Sequence, residues 1–379
     1  MKSLLFVAVV TLFSTQISSA NDCSGLWRNG FPDVSPRHTP VACDEFHPLA
    51  SPVRMSQRLY TASSITSVPA VKLQMEMIAE ALSYSEDKYS AYGRVPPITV
   101  IRQDVPHPNS AGPAAMAFTY VQFHDLDLES CPIFVYPISE VLGKEHLQQL
   151  IAHEVFHCVQ KANFKDQVSH AASSSDQAWW FEGLAQLFSN LVYPSNDFEY
   201  TSRFPGPDQS LPFWDQPNAY SSENFWQSYA NLVSDNAVWA TMNQMPTGTG
   251  SDTPTVANNL PRISEGMHEY AKQITLKRVR DAAGHMSPYD MLFEQRVLAD
   301  TSHQMVTLAH YDFTVGAYQI KLPKGGRWRL QFDSPANTKI SLKKAEDTDY
   351  LPVSGPMEIT SECDSERDVQ IVLTTVTDQ

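Results

Sequence analysis

Positive charge is scarce in this chain. Lysine and arginine together number 27 against 42 aspartates and glutamates, a formal net charge of −15 at pH 7. Nucleic acid and anionic membranes call for a basic surface, so neither is an expected partner. Solubility is a sufficient account of the acidic balance. Long apolar runs are also missing beyond the first residues: none approaches the roughly 20 residues of a transmembrane helix, so no stable membrane insertion is expected. Neither a G-x-S-x-G elbow nor a phosphate-binding P-loop occurs, and there is no internal repeat. The acidic stretch from His124 to Ser130 lacks the glycine and distal glutamate of a calcium loop, and a solvated turn explains it better.

Cysteine is sparse and odd in number: Cys23, Cys43, Cys131, Cys158 and Cys363. The opening "MKSLLFVAVVTLFSTQISSA" has a basic start at Lys2, an apolar core and a small-residue end at Ala20, the pattern of a secretory signal peptide. A secreted or periplasmic location is therefore expected, and disulfides with it. Cys23–Cys43 and Cys131–Cys158 are the expected pairs, and at least one cysteine stays unpaired within the chain. Cys158 stands beside a histidine, but its apolar helix and exported setting favour a buried or bridged role over a catalytic one.

The remaining chain is long enough for two domains of roughly 100–200 residues. Residues 21–68 are rich in Pro, Ser and polar residues and read as an irregular N-terminal segment, a candidate pro-segment. Over residues 69–301 helical spacing begins at Pro69 and is followed by three strand-like runs, "PPITVIRQ", "AAMAFTYVQF" and "CPIFVYPI". A long helix "GKEHLQQLIAHEVFHCVQKANF" comes next, then a polar loop "KDQVSHAASSSDQ" and a second helix "AWWFEGLAQLFSNLVY". Further helices are expected over "SSENFWQSYANLVSDNAVWATMNQM", "GMHEYAKQITLKRVRDAAG" and "PYDMLFEQRVL". Residues 302–379 alternate apolar and polar positions around turn residues, as a small β-sandwich-like module does. The fold class is α+β.

The chemistry concentrates in "QQLIAHEVFHCVQ". On a helix, His153 and His157 are four residues apart and share a face, so both rings can offer a nitrogen to one ion. Glu154 is close enough to hold a water on that ion without binding the ion itself, the layout of H-E-x-x-H. A solvated helix carrying two histidines is the plain alternative. Two features count against it. The surrounding positions are apolar, and buried imidazoles need partners. Glu182, twenty-five residues past His157, is the sole carboxylate between Trp179 and Leu191. His153, His157 and Glu182 would leave zinc one open position, the mark of a catalytic site.

"HEVFH" followed by "FEGLA" resembles the gluzincin zinc metallopeptidases, over roughly residues 70–300. The resemblance implies a zincin-like domain of a small sheet, active-site helices and a helical C-terminal subdomain. It also implies Zn2+ bound by His153, His157 and Glu182, with Glu154 as general base and a protein or peptide as substrate. Thermolysin-like members carry an acid one turn past the glutamate ligand to support a zinc-binding histidine; Gln186 stands there in this chain. The oxyanion-stabilising residue that the family also uses would be Tyr220, with Tyr229 and then His268 as alternatives. Tyr220 could equally pack or cap the helix that follows it. Substrate would lie along a sheet edge formed by "AAMAFTYVQF" or "CPIFVYP", though both could be ordinary core strands. No motif for capturing a free amino terminus is present, so the expectation is a secreted endopeptidase. The rivals are a catalytically silent relative and an adhesin working through binding by the β-module, which could also attach substrate or surface, or cap the catalytic domain.

Overall fold

The structure is a computed structural model that describes residues 42–49, 57–106, 116–119, 130–172, 177–196, 207–208, 210–216, 219–247, 253–289, 291–298, 305–308, 310–323, 327–334, 337–353, 357–360 and 367–376. The signal-peptide reading, Cys23, Cys363 and most of the His124–Ser130 stretch lie outside these residues.

A five-stranded sheet forms the base of the site. Its order is β1 (Cys43–Glu45), β2 (Gln57–Ala62), β3 (Ile98–Arg102), β5 (Cys131–Val135) and β4 (Ala117–Thr119). The three inner strands run parallel, whereas β1 and β4 are antiparallel edges. Strands β3 and β5 are buried at every position, which is why they read as continuous apolar runs without alternation. Helix α1 (Pro69–Tyr89) crosses over from β2 to β3 and packs with α2 (Lys144–Asn163) against the sheet. Proline at the first position of α1 loses nothing, since its N–H would be unpaired there. The expected Cys131–Cys158 disulfide is present and ties β5 to α2. Cys43 is bridged as well, to a partner outside the described residues.

Several expectations change. The segment before residue 69 contributes β2, an inner strand between β1 and β3. Its six residues are nearly all buried, but the short run shows little alternation and its partner β3 is remote in sequence. Part of the polar loop after α2 is a helix, α3 (Lys165–Ala171), because Val168 and Ala171 turn into the core. The region after Tyr220 divides into α5 (Glu223–Val233) and α6 (Asp235–Thr241) at Ser234, whose φ of 97° stops one helix while its hydroxyl caps the next. Between them and the C-terminal strands come α7 (Thr253–Asn258) and α8 (Ile263–Thr275). Helix α8 stops at Thr275, short of the expected end, and the chain turns at Lys277 with φ 54°.

The largest departure is "PYDMLFEQRVL". It was expected to be helical, and instead holds strand β6 (Glu294–Val297), paired in parallel with β7 (Gly316–Leu322). Helix-forming residues are overruled here by the free edge of β7. The C-terminal sheet therefore begins before residue 302. Its order is β10 (Leu351–Pro352), β9 (Thr338–Lys344), β12 (Arg367–Thr375), β7 and β6, with β8 (Arg327–Leu330) and β11 (Met357–Thr360) pairing separately. The fold is mixed α+β with two small mixed sheets.

Helix α8 packs on β12, β7 and β9. His268 of α8 lies 2.9 Å from Thr374 Oγ1 and 2.7 Å from Ser341 Oγ, joining the helix to both strands. Burial pushes the imidazole down to about 4, helped by Lys272 and Lys339 and opposed by Glu269. In the unfolded chain an imidazole titrates near 6.5, so between about pH 6.5 and 4 the unfolded state binds more protons. The stabilisation is complete above that window and is lost as pH falls through it. Replacing His268 with Gln should remove on the order of 2–3 kcal/mol of acid sensitivity. Thermal melts of both proteins at pH 7 and pH 4.5 check this; equal acid losses would refute it.

Candidate metal centre

Helix α2 carries its buried surface almost all round, from Leu147 to Lys161, and so presents both histidines inward. Glu145 in its first turn and Lys161 in its last suit the helix dipole. Helix α4 (Ala178–Val192) packs across it, with Phe156 stacked on Phe188 at 4.5 Å between ring centres. That crossing brings Glu182 to the two histidines.

Three atoms meet at one point. His153 Nε2 lies 3.1 Å from Glu182 Oε2 and 3.1 Å from His157 Nε2, and His157 Nε2 is 3.3 Å from the same carboxylate oxygen. A tetrahedral zinc ion with bonds of about 2.0–2.1 Å places its ligand atoms about 3.3–3.4 Å apart. The observed triangle matches that within a few tenths of an ångström. Two nitrogens and one oxygen are a donor set suited to zinc. On the far side of the His157 ring, Nδ1 is 2.9 Å from Gln160 Oε1. A carbonyl oxygen can only accept, so Nδ1 carries a proton, and a metal ion that displaced the second proton would meet the Nε2 lone pair at the shared point. The residues fit a divalent ion.

Charge is balanced within this cluster. Burial pushes His157 down, but the carboxylates of Glu182 and Glu154 outweigh it and the ring is raised above its usual value. Burial likewise opposes the Glu182 charge, and attraction to His157 and hydrogen bonds from both histidines hold it well below the ordinary carboxylate range. Tyr220 is driven far above its normal value by Glu182, then by burial and Glu154. Its hydroxyl stays protonated and donates to Glu182.

The glycine of "FEGLA" explains how Tyr220 arrives. A Cβ on Gly183 would lie 2.2 Å from Ser222 Oγ and 2.9 Å from Trp226 Cδ1. Without one, the 3-10 turn Ala219–Ser222 and the start of α5 close onto α4. Ser222 Oγ and Trp226 Nε1 both donate to the Trp179 carbonyl, at 2.6 and 3.0 Å, and lock that approach. The Tyr220 ring then sits 5.7 Å from His153.

Glu154 belongs to the site but not to the triad. The residue is 6 % exposed, and its Oε2 accepts a 2.6 Å hydrogen bond from Thr119 at the sheet edge. The other oxyanion candidates are elsewhere. Tyr229 donates its hydroxyl to the Pro261 carbonyl at 2.5 Å, and His268 is occupied by the C-terminal sheet. Gln186 supports neither histidine: His153 Nδ1 makes no hydrogen bond among the described residues, and Gln160 holds His157 from α2 itself.

Three contributors escaped the sequence reading. Gln160 was within reach, since a residue three past His157 shares its helix face. Phe181, stacked on His157 at 4.2 Å, is the residue before Glu182. Thr119 gave no signal, because only strand pairing brings it to α2. No protein-family model matches this chain, and no curated protein matches it.

Proposed function

We propose that this chain is a zinc-dependent peptidase of gluzincin type, with a zincin-like catalytic domain. One observation carries the reading: three donors converge with zinc spacing while a fourth group, Glu154, is anchored beside them and stays out of the triangle. A structural site closes four protein ligands around zinc; a hydrolytic one leaves a position open and needs a base beside it. When bound, the ion would supply Lewis acidity that activates water and polarises a carbonyl.

The protein's own groups would then divide the work. Glu154 takes the proton of the attacking water and returns it to the leaving amine. Gln160 fixes the His157 ring, and Glu182 balances charge that two neutral imidazoles cannot. Tyr220, kept protonated by its surroundings, is the donor for the developing oxyanion. Replacing it with Phe should lower kcat by about 10²–10³-fold with zinc content unchanged. Steady-state kinetics beside metal analysis reads this, and a near-normal rate removes Tyr220 from the mechanism.

Strand β4 is the edge of the catalytic sheet, next to Glu154, and offers the ladder to which an extended peptide could add. It supports "AAMAFTYVQF" over "CPIFVYP", which is the inner strand β5. The disulfides at Cys131–Cys158 and Cys43 support an exported protein in an oxidising compartment. The C-terminal module fits a capping role: Phe313 packs on Trp214 at 4.6 Å, and α8 lies on its sheet. The decisive test is zinc analysis with a peptide-library cleavage profile of the wild type beside Glu154→Gln.

A further inference from the structure

We propose that Thr119 is a positioning residue, holding the general base in its working orientation through the sheet edge. The proposal rests on the hydrolytic reading of the metal centre and adds a residue that the H-E-x-x-H pattern does not contain.

Thr119 is the last described residue of β4 and is 6 % exposed. Its Oγ1 lies 2.6 Å from Glu154 Oε2 and 3.0 Å from the Glu154 main-chain carbonyl. A hydroxyl has one proton to give. The shorter contact goes to the charged oxygen, where the bond is stronger, so the proton points at the carboxylate. Among the described residues, no other group hydrogen-bonds that carboxylate. One oxygen is therefore anchored, and Oε1 is left as the proton acceptor.

The strand does not need this hydroxyl to hold its place. Thr119 is already paired with Ile133 in the β4–β5 ladder, and Phe118 with Phe134. The hydroxyl's contribution falls on Glu154 instead. A glutamate side chain has three rotatable bonds, and a base must stay within hydrogen-bond reach of its water. Misplacement by about 1 Å can cost about a hundredfold in rate. The anchor also stands on the edge strand to which a peptide would add.

The test pairs Thr119→Val, which keeps the branched shape and loses the hydroxyl, with Thr119→Ser, which keeps the hydroxyl. The Val variant should lose about tenfold to a hundredfold in kcat, with KM within about twofold and zinc content unchanged. The Ser variant should recover most of the rate. Acetohydroxamate gives a readout without turnover. It is a bidentate metal chelator, and when bound it would donate a hydrogen bond to the Glu154 carboxylate. Its affinity for the zinc-loaded protein should fall about tenfold in the Val variant and return in the Ser variant.

A Val variant with wild-type kcat and wild-type hydroxamate affinity would overturn the assignment. So would a change confined to KM, which would mean that Thr119 serves the strand alone. A wild-type chain that shows the Thr119-dependent hydroxamate binding but cleaves no peptide would sink the peptidase reading and support this one.

Discussion

Glu154→Gln is expected to abolish peptide cleavage while leaving the metal centre loaded. The loss in kcat should be about 10²–10⁴-fold, the usual contribution of a positioned general base. Geometry gives the reason for the split. Glu154 lies outside the triangle formed by His153, His157 and Glu182, so an amide there removes no metal ligand. Glutamine has the same shape, and its carbonyl can still accept the Thr119 hydroxyl at the position of Oε2. What it lacks is the ability to take a proton. Zinc stoichiometry and melting temperature should therefore match the wild type while turnover collapses. If zinc is lost along with activity, Glu154 is a ligand and the assignment of roles is wrong. If cleavage survives, the base is another group.

Glu182→Ala should do the opposite, removing the metal first and activity as a consequence. The carboxylate touches both imidazoles and is the only anionic member of the donor set. With zinc held at one hundred times the wild-type Kd, binding should stabilise the wild type by about 2.7 kcal/mol. The alanine variant at the same zinc concentration should gain almost nothing. Thermal melts with and without zinc, in buffers of fixed free metal, read the difference directly.

A pH dependence accompanies this result. His157 is raised because Glu182 and Glu154 outweigh its burial. Zinc must displace the proton from that ring, so wild-type affinity should weaken as pH falls below the raised value. In the metal-free protein a raised histidine stabilises the fold fully below about pH 6.5, and that contribution is lost as pH rises through the folded value. Removing Glu182 takes away the main attraction, so this contribution should shrink. An alanine variant that still binds zinc as tightly as the wild type would dismiss Glu182 as a ligand.

The candidate metal centre was legible in the sequence. A helix repeats every 3.6 residues, so His153 and His157 had to share a face once α2 formed. Glu182 stood out because a lone acid in an apolar helix needs a reason to be there. Strands β3 and β5 and the Cys131–Cys158 bridge were likewise visible, as short apolar runs bounded by turns and as cysteines in the right elements. The misses share one cause. Strand β6 formed from helix-prone residues because β7 offered an unpaired edge, and β2 became an inner strand because β1 and β3 took both of its edges. Neither event is written in local propensity. Tyr229 and His268 were reasonable candidates by residue type, but their hydroxyl and ring are engaged by Pro261 and by the C-terminal sheet.

By itself the sequence determined the helical pair of histidines, the lone glutamate that follows them and the acidic, cysteine-poor character of the chain. These are properties of spacing and composition, and they hold before any packing. Only the tertiary structure decided that the glutamate reaches the histidines, that Gly183 lets Tyr220 approach, and that Thr119 grips Glu154. Each of those depends on two elements distant in the chain meeting at ångström range, and a linear pattern carries no such distance.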